Sequence, residues 1–256
     1  MSNSSLISYT KLSPNCTKPR KYKIDTVSIH CMAGNLSVET CGGVFQNTER
    51  DASSNYGIGS DGRIALYVDE ENRSWCTSSG ANDHRAITIE VANNGGASAG
   101  WPVSEAAFEA LILLLTDICK RNEIKNLLWK ANKSLIGQVD EQNMTVHRWF
   151  ANKACPGDYL YNRHDEIARR VNENLEEDED MDIGKLTDEQ IDELWARIRA
   201  RLGEKEVSDY AKRASEKGIK KGVFADGDRD GLVDDPLAPV LRQELVVTYD
   251  RLGLLD

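Results

Sequence analysis

A chain of 256 residues with a formal net charge of −10 is long enough for one large domain or two ordinary ones. Its longest purely apolar run, Ala110 to Leu115, falls far short of the ~20 residues of a membrane span, so no membrane insertion is expected. Residues 1–171 hold 19 acidic and 19 basic side chains, and residues 172–256 hold 23 acidic and 13 basic ones. The sequence shows no basic stripe that could follow a phosphate backbone, so nucleic-acid binding is not expected.

The N-terminus and the cysteines both indicate synthesis in a reducing compartment. Residues 1–5 lack the charged and apolar regions of a secretory signal, so another factor would have to release the protein from the cytoplasm. Six cysteines without a signal favour free thiols over a disulfide framework. Five of them are predicted to be small buried hydrophobic residues: Cys16, Cys31, Cys41, Cys76 and Cys119.

The first predicted elements are a buried strand and a short helix. The β-branched run from Ile24 to Ile29 predicts a core strand with His30 at its end. An imidazole at that position can line a cleft, although a satisfied core histidine is the ordinary interpretation. Apolar residues at helical spacing within 36–46 predict the helix.

A hairpin is predicted next, because two strand-like runs, 56–59 and 63–68, flank the turn Ser60-Asp61-Gly62. Trp75 follows in a loop, where an exposed indole can stack on a sugar or pack on a peptide. A half-buried structural tryptophan is the equally weighted alternative. His84 has no partner at ligand spacing and is predicted to lie on the surface.

A central strand and a covering helix follow. Ala86 to Ala92 is apolar on both faces, as a central strand is, yet it contains Glu90. A carboxylate in such a run is costly unless it has a chemical role or a structural ion-pair partner, and both interpretations are open. Ser104 is a good N-cap for apolar residues that recur at three- and four-residue spacing up to Cys119, which predicts a long helix over the sheet.

The segment Val146 to Gly157 carries the strongest functional signal. Residues 144–147 are predicted to be a short strand that delivers His147 into a loop, and Cys155 follows eight residues later. Together with His30 these residues supply two imidazoles and one thiolate, which are donors that zinc prefers. Three protein ligands leave a fourth position open, as hydrolytic zinc sites do.

These residues, with Lys153 two positions before the cysteine, closely resemble the zinc-binding signature of the N-acetylmuramoyl-L-alanine amidases of the peptidoglycan-recognition-protein fold, which include many phage endolysins. The resemblance covers residues 1–172. It implies an α/β fold with a mixed central β-sheet flanked by helices. It also implies one zinc ion held by His30, His147 and Cys155, and cleavage of the amide between N-acetylmuramic acid and L-alanine.

The resemblance further implies roles for side chains around that ion. Glu90 would take the proton of the attacking water as a general base, and Lys153 would stabilise the oxyanion. The equivalent hairpin of the family lies against the substrate cleft. The candidate substrate-binding residues are therefore Trp75, Asn55 and Tyr56, although for Tyr56 a strand residue that packs in the core is the favoured interpretation.

The remainder of the chain is predicted to contain a closing helix, a linker and a second module. The helix over 158–175 completes a catalytic domain of residues 1–175, and the like-charge block that begins at Glu176 opens an acidic linker over 176–186. Thr187 and Gln190 form a capping box ahead of an apolar helical stripe that needs a partner. Residues 187–256 are assigned to a small, mainly helical module.

Residues 207–254 resemble one S-layer-homology repeat, with Tyr210-Ala211, Gly218-Ile219 and the run 239–245 as the matching features. Such repeats usually act in threes. The single copy suggests either a weak cell-wall anchor or a module that forms homo-oligomers, including with a shorter product that starts at Met181.

The same region contains the first half of a calcium loop, formed by Asp226, Asp228 and Asp230. The twelfth position of that loop is Leu237, where the closing glutamate of an EF-hand would stand. The pattern therefore favours an Asp-rich surface turn over bound calcium.

The predicted function is that of an endolysin, a zinc-dependent peptidoglycan hydrolase kept in the host bacterial cytoplasm until a holin-type membrane hole releases it to the cell wall. One alternative is a non-catalytic peptidoglycan-recognition protein, but such relatives typically lose the cysteine ligand that this chain retains as Cys155. Another is a structural metal protein, for which four closed ligands are expected, whereas three are found here.

Overall fold

The computed structural model describes residues 3–180 and 187–203. A boundary between two compact units falls between Glu179 and Asp180. No helix in these described ranges combines the length and the apolar composition that a membrane crossing requires. The S-layer-like repeat, the start at Met181 and the calcium loop of Asp226, Asp228 and Asp230 lie outside the described residues.

The first unit is built on two β-sheets. Its strands are β1 (Tyr9–Thr10), β2 (Cys16–Thr17), β3 (Thr26–Cys31), β4 (Tyr56–Ile58), β5 (Ile64–Leu66), β6 (Arg73–Ser74), β7 (Ala86–Val91) and β8 (Met144–Thr145). Six strands form one sheet in the order β1-β5-β4-β7-β3-β8, and β2 pairs with β6. Within the six-stranded sheet only the predicted hairpin, β4 with β5, is antiparallel, so the sheet is mixed.

Helices flank this sheet, which confirms the predicted α/β class. They are α1 (Val38–Val44), α2 (Gly80–Asp83), α3 (Glu105–Arg121), α4 (Gly157–Tyr161) and α5 (His164–Asp180). The second unit contains α6 (Asp188–Gly203). The predicted capping box of α6 is present, because Thr187 N donates to Gln190 Oε1 at 2.9 Å and Gln190 N donates to Thr187 Oγ1 at 3.3 Å.

The long helix α3 begins and packs as its sequence predicts. Ser104 Oγ accepts a hydrogen bond from Ala107 N at 3.2 Å and satisfies one of the free amides of the first turn. The apolar stripe of α3, which includes Phe108, Leu111 and Leu115, is fully buried in one core with the strands β3, β4 and β7. Each such side chain contributes about 1.5–3 kcal/mol on burial, so this helix fixes one face of the sheet.

The chain departs from its predicted elements near the end of the first unit. The single helix expected over 158–175 is two helices, α4 and α5, separated at 162–163. Helix α5 continues to Asp180, so the acidic block expected to open a linker is helical up to that point.

Three predicted surface or cleft residues are core residues. His84 is 7% exposed, and its Nδ1 accepts a hydrogen bond from Lys21 N. Asn55 and Tyr56 are fully buried; Asn55 Nδ2 donates to Val68 O and Tyr56 OH donates to a carboxylate oxygen. A substrate cannot reach either side chain, so the assignment of Asn55 and Tyr56 to substrate binding is corrected to a structural role.

The carboxylate that Tyr56 contacts belongs to Glu70, which is 1% exposed. Glu70 also accepts two hydrogen bonds from the guanidinium of Arg121, at 2.8 and 2.6 Å, and one from Asn122 Nδ2 at 3.3 Å. These contacts join the loop after the hairpin to the carboxyl end of α3. They make Glu70 the hub of a buried polar network.

Replacing Glu70 with alanine is expected to lower the free energy of unfolding by about 3 kcal/mol. The change removes one partner of a largely buried ion pair and the acceptor that Tyr56 and Asn122 share. Urea denaturation at neutral pH measures the loss. The adjacent exposed residue provides the control, Glu71→Ala, for which no comparable loss is expected. Equal stability of the two variants would contradict this role for Glu70.

The first residue of α5, His164, is a fully buried imidazole in an aromatic cluster. Its Nδ1 lies 2.7 Å from Leu160 O, and its ring centroid lies 4.4 Å from that of Trp129, which stacks on Trp149. Its Nε2 has no hydrogen-bond partner. Burial lowers the pKa of His164 from 6.5 to about 4, so the ring stays neutral near pH 7.

This depressed pKa predicts a loss of stability in mild acid. In the unfolded chain His164 takes up a proton near pH 6.5, whereas in the folded chain it does so only near pH 4. Between these pH values the unfolded state binds more protons than the folded state, so the free energy of unfolding is unaffected above pH 6.5 and declines as the pH falls towards 4. Between pH 7 and pH 5 the decline is about 2 kcal/mol. We expect urea denaturation at pH 7 and at pH 5 to show that the free energy of unfolding of His164→Gln declines by about 2 kcal/mol less than that of the wild type. Identical declines in both proteins would contradict the prediction.

Candidate metal centre

The candidate centre lies where the parallel strands β3 and β7 end. His30 and Glu90 are direct partners in the register of these strands, so their side chains project from the same face of the sheet. Ser28, two residues before His30, projects from that face too, and its Oγ lies 3.3 Å from His30 Nε2. This contact holds the ring with Nδ1 turned towards the loop that follows β8.

That loop returns the chain to the end of β3. Strand β8 ends at Thr145, and a 3₁₀ turn begins at His147. Arg148 braces the loop, since its backbone N donates to Cys155 O at 3.1 Å and its Nη2 donates to Ala154 O at 2.7 Å. As a result the Cys155 Sγ lies 3.3 Å from His30 Nδ1.

The structure brings the three predicted ligands together. One donor atom each from His30, His147 and Cys155 lies within 4.8 Å of the other two. Donors around a tetrahedral zinc ion are about 3.5 Å apart, given bond lengths of about 2.0–2.3 Å, so small side-chain movements suffice. His30 is buried, and the other two residues are half-buried. Two imidazoles and one sulfur in this arrangement fit a zinc ion.

The electrostatics of the imidazoles favour the form that binds metal. Burial lowers the pKa of His30 to about 3, with a smaller contribution from His147. Burial also lowers the pKa of His147, and the charge of Lys153 adds to this effect. Both rings are therefore neutral at pH 7, and a neutral imidazole is the species that donates a lone pair to a metal ion.

The thiol of Cys155 has a second sulfur beside it. Its hydrogen bond with Cys31 and its burial raise the pKa of Cys155, whereas the same hydrogen bond lowers the pKa of Cys31. A divalent cation next to Cys155 would favour its thiolate, because a metal ion displaces the proton of a coordinating thiol. Cys31 is not a member of the three-donor group.

Glu90 faces the same cluster with a free carboxylate oxygen. Its Oε1 lies 4.0 Å from His30 Nδ1 and accepts a hydrogen bond from Cys76 Sγ at 3.9 Å, while its Oε2 is buried without a hydrogen-bond partner. Burial raises the pKa of Glu90 to about 8. Because His30 is neutral at pH 7, it does not form a structural ion pair with Glu90.

Two further predicted residues lie on the rim. Lys153 is exposed in the loop between the two late ligands, close enough for its charge to act on His147. Trp75 is half-buried, and its Nε1 donates to Thr17 Oγ1 at 2.9 Å, so the indole is fixed in orientation. It directly precedes Cys76, the residue that contacts Glu90.

Three residues near the centre, Cys31, Cys76 and Ser78, were not predicted from the sequence to lie there. Cys31 and Cys76 are partly exposed, whereas they were predicted to be buried hydrophobic residues; Cys16 is partly exposed as well, and only Cys41 and Cys119 are buried. Ser78 Oγ lies 3.1 Å from His147 Nε2. For Cys31, its position next to His30 in the sequence was the one signal that it lies near the centre. Cys76 and Ser78 reach Glu90 and His147 from a loop that is distant in sequence, so no local pattern indicates their position.

Two imidazoles, one thiol and an unpartnered carboxylate oxygen thus lie together at the strand ends of a mixed β-sheet, and the imidazoles and the thiol are donors that a zinc ion takes. The sequence model of the Amidase_2 family, described as N-acetylmuramoyl-L-alanine amidase, matches residues 20–158, more than half of the chain. The chain belongs to this family.

Several solved structures match a large part of the chain. A selenomethionine derivative of AmpD is 18% identical, covers 64% of this chain and 96% of its own, and gives a TM-score of 0.48. The endolysin amidase LysCS from Clostridium intestinale URNW is 16% identical, covers 67% and 99%, and gives 0.46. Drosophila peptidoglycan recognition protein SA is 20% identical, covers 61% and 90%, and gives 0.44. A comparison with curated proteins gives no match.

Proposed function

We propose that this protein is a peptidoglycan hydrolase that cleaves the amide bond between N-acetylmuramic acid and L-alanine, using one zinc ion held by His30, His147 and Cys155. The observation that carries the proposal is the convergence of these three donors beside the unpartnered oxygen of Glu90, in a chain of the N-acetylmuramoyl-L-alanine amidase family. The family membership supports the amide bond as the target, and the cluster supports a hydrolytic mechanism.

When bound, zinc would polarise the scissile carbonyl and lower the pKa of a water molecule. Glu90 then takes the proton of the attacking water and delivers it to the departing nitrogen of L-alanine. Its free Oε2 suits both steps, because an oxygen without a hydrogen-bond partner can accept a proton and pass it on.

The rim residues act on the substrate. Lys153 places a positive charge beside the developing oxyanion, a contribution of about 3 kcal/mol if it equals that of one oxyanion-hole donor. Trp75 offers its half-exposed ring to a sugar or to the peptide stem, with its orientation fixed by the hydrogen bond to Thr17. Both roles require Lys153 and Trp75 to lie beside the donor group of His30, His147 and Cys155.

The competing functions are less well supported. A non-catalytic peptidoglycan-recognition protein has no need of the cysteine ligand or of a buried, unpartnered carboxylate, and this chain has Cys155 and Glu90. A structural metal site would close with a fourth protein donor. Within residues 3–180 and 187–203, the group around His147 and Cys155 contains three donors.

The remaining parts of the proposal concern release and attachment. The substrate is the peptidoglycan of a bacterial wall, reached after holin-type release from the host cytoplasm. Residues 187–256 would attach the enzyme to the wall or join several chains, including a shorter product from Met181. The exposed apolar side chains Ile191, Leu194 and Trp195 on α6 support a role for this module in contacts with another surface.

The proposed bond is tested by digesting purified peptidoglycan with the full-length protein and identifying the new chain ends. The expected products are free α-amino groups of L-alanine and glycan strands without peptides, with no new reducing sugar ends. Pretreatment with a zinc chelator should abolish the reaction, and added zinc should restore it. New reducing ends, cuts within the peptide, or full activity in the chelator would contradict the proposal.

A further inference from the structure

Ser28 has a buried hydroxyl that contacts two groups at once. It lies in β3, two residues before His30, and is the register partner of Thr145 in β8. Its Oγ lies 3.3 Å from His30 Nε2 and donates a hydrogen bond to Thr145 O at 3.2 Å. Ser28 and His30 are both fully buried, so bulk water does not compete for either contact.

The single proton of the hydroxyl decides the direction of both hydrogen bonds. A backbone carbonyl can only accept, so the Ser28 proton points at Thr145 O. The Ser28 oxygen must then accept a hydrogen bond from His30, which requires a proton on Nε2. In a neutral imidazole with its proton on Nε2, the other nitrogen, Nδ1, carries a free lone pair.

The opposite tautomer of His30 would satisfy fewer contacts. With the proton on Nδ1, Nε2 could only accept, and the Ser28 proton would have to turn from Thr145 O towards the ring. The oxygens of Ser28 and Thr145 would then face each other at 3.2 Å with no proton between them. The contact of Cys155 Sγ with Nδ1, at 3.3 Å, fits both tautomers, because a thiol can donate or accept.

We propose that Ser28 is a positioning residue that fixes His30 as the Nε2–H tautomer and thereby leaves the lone pair of Nδ1 free for the metal ion. The inference rests on the proposed function, because it takes His30 to be a zinc ligand. The carbonyl of β8, the hydroxyl of β3 and the imidazole form one chain of hydrogen bonds. The sheet therefore selects the ligand atom of His30 before a metal ion binds.

The second imidazole of the cluster is held differently. Ser78 Oγ lies 3.1 Å from His147 Nε2, but Ser78 is exposed, so water can replace its hydroxyl. In the part of the chain that the structure describes, that hydroxyl has no second contact that would fix the direction of its proton. Ser78→Ala is therefore a matched control, since it removes a serine hydroxyl from the other imidazole.

The test determines the tautomer of His30 by long-range ¹H–¹⁵N NMR of the full-length protein with ¹⁵N-labelled histidine. Spectra are recorded before and after zinc is added, at about pH 8, where an ordinary imidazole is neutral. A bare ring nitrogen resonates far from a protonated one. The chain has four histidines, and the signals of His30 are those that disappear in His30→Gln. Competition with a chromophoric chelator measures the zinc affinity of wild type, Ser28→Ala and Ser78→Ala.

Wild type and Ser78→Ala are expected to carry the His30 proton on Nε2, both before and after zinc is added. In Ser28→Ala, Nε2 loses its acceptor in a buried site, so the proton should shift towards Nδ1. Zinc must then displace that proton, and its affinity should fall by about 10–100-fold, the usual effect of losing such a partner.

A wild-type protein with the His30 proton on Nδ1 would overturn the inference, and this measurement needs no substitution. An unchanged tautomer in Ser28→Ala, or a zinc affinity equal to that of wild type, would overturn it too. A wild type that binds no zinc contradicts the proposed function instead, and the tautomer measured without zinc still decides the role of Ser28.

Discussion

Replacing Cys155 with alanine is expected to give a folded protein that has lost both its zinc and its amidase activity. The side chain is half-buried on a loop and takes no part in the apolar core, so the fold should survive its truncation. The variant keeps two of three donors, His30 and His147. Activity should fall by on the order of 10³ or more, because the loss of the metal removes several kcal/mol of transition-state stabilisation.

The matched comparison is Cys155→Asp, which keeps an anionic donor at the same position. A carboxylate oxygen binds zinc at about 2.0–2.2 Å, so this variant should retain part of the zinc and part of the activity. Release of amino groups from purified peptidoglycan measures the rates, and circular dichroism checks the fold. If Cys155→Ala were as active as wild type, the sulfur could not be a ligand of the working centre.

The second large effect is expected for Glu90→Gln, which should keep zinc and lose activity by roughly 10²–10⁴-fold, the usual contribution of a general base. Glutamine has nearly the same shape as glutamate but cannot accept the proton of the attacking water. Glu90 is placed beside His30 by the register of β3 and β7. It lies outside the proposed ligand group, although with His30 and Cys76 it forms a second possible group of donors. Because the proposal makes Glu90 the base and leaves His30, His147 and Cys155 intact, metal binding should persist.

Two controls separate the chemistry from the packing around Glu90. Glu71→Gln changes an exposed carboxylate to the same amide and should leave the rate unchanged. Cys76→Ala removes the hydrogen bond to Glu90 Oε1 and keeps the carboxylate, so its effect should be smaller than that of Glu90→Gln. Full activity of Glu90→Gln would show that another group is the base, and a simultaneous loss of zinc would show that Glu90 is a ligand.

Much of the sheet could be predicted from local sequence. The Asp61-Gly62 turn predicted the hairpin, Ser104 predicted the start of α3, and the apolar run around Glu90 predicted a central strand. In each case short-range chemistry agrees with the tertiary structure: a turn residue, a cap or a continuous apolar run. His30 and Glu90 are neighbours because both stand near the end of parallel strands.

The residues that could not be predicted depend on long-range contacts. His84 was predicted to lie on the surface, but it is buried and accepts a hydrogen bond from Lys21 N, which is distant in sequence. Asn55 was assigned to substrate binding, but it is buried and its Nδ2 donates to Val68 O. Cys31 and Cys76 have no local pattern that distinguishes them from buried hydrophobic residues. Cys76 reaches Glu90 through the loop that follows β6, and Cys31 lies at the centre because it follows His30 in β3.

X-ray absorption at the zinc edge of the full-length protein would identify the ligands of the ion. We expect one zinc per chain with one sulfur at about 2.3 Å and two imidazole nitrogens at about 2.0–2.1 Å, and no sulfur in Cys155→Asp. A shell without sulfur in the wild type would contradict the assignment of Cys155. Four protein ligands that include a second sulfur would leave no position for the attacking water and would contradict a hydrolytic zinc site.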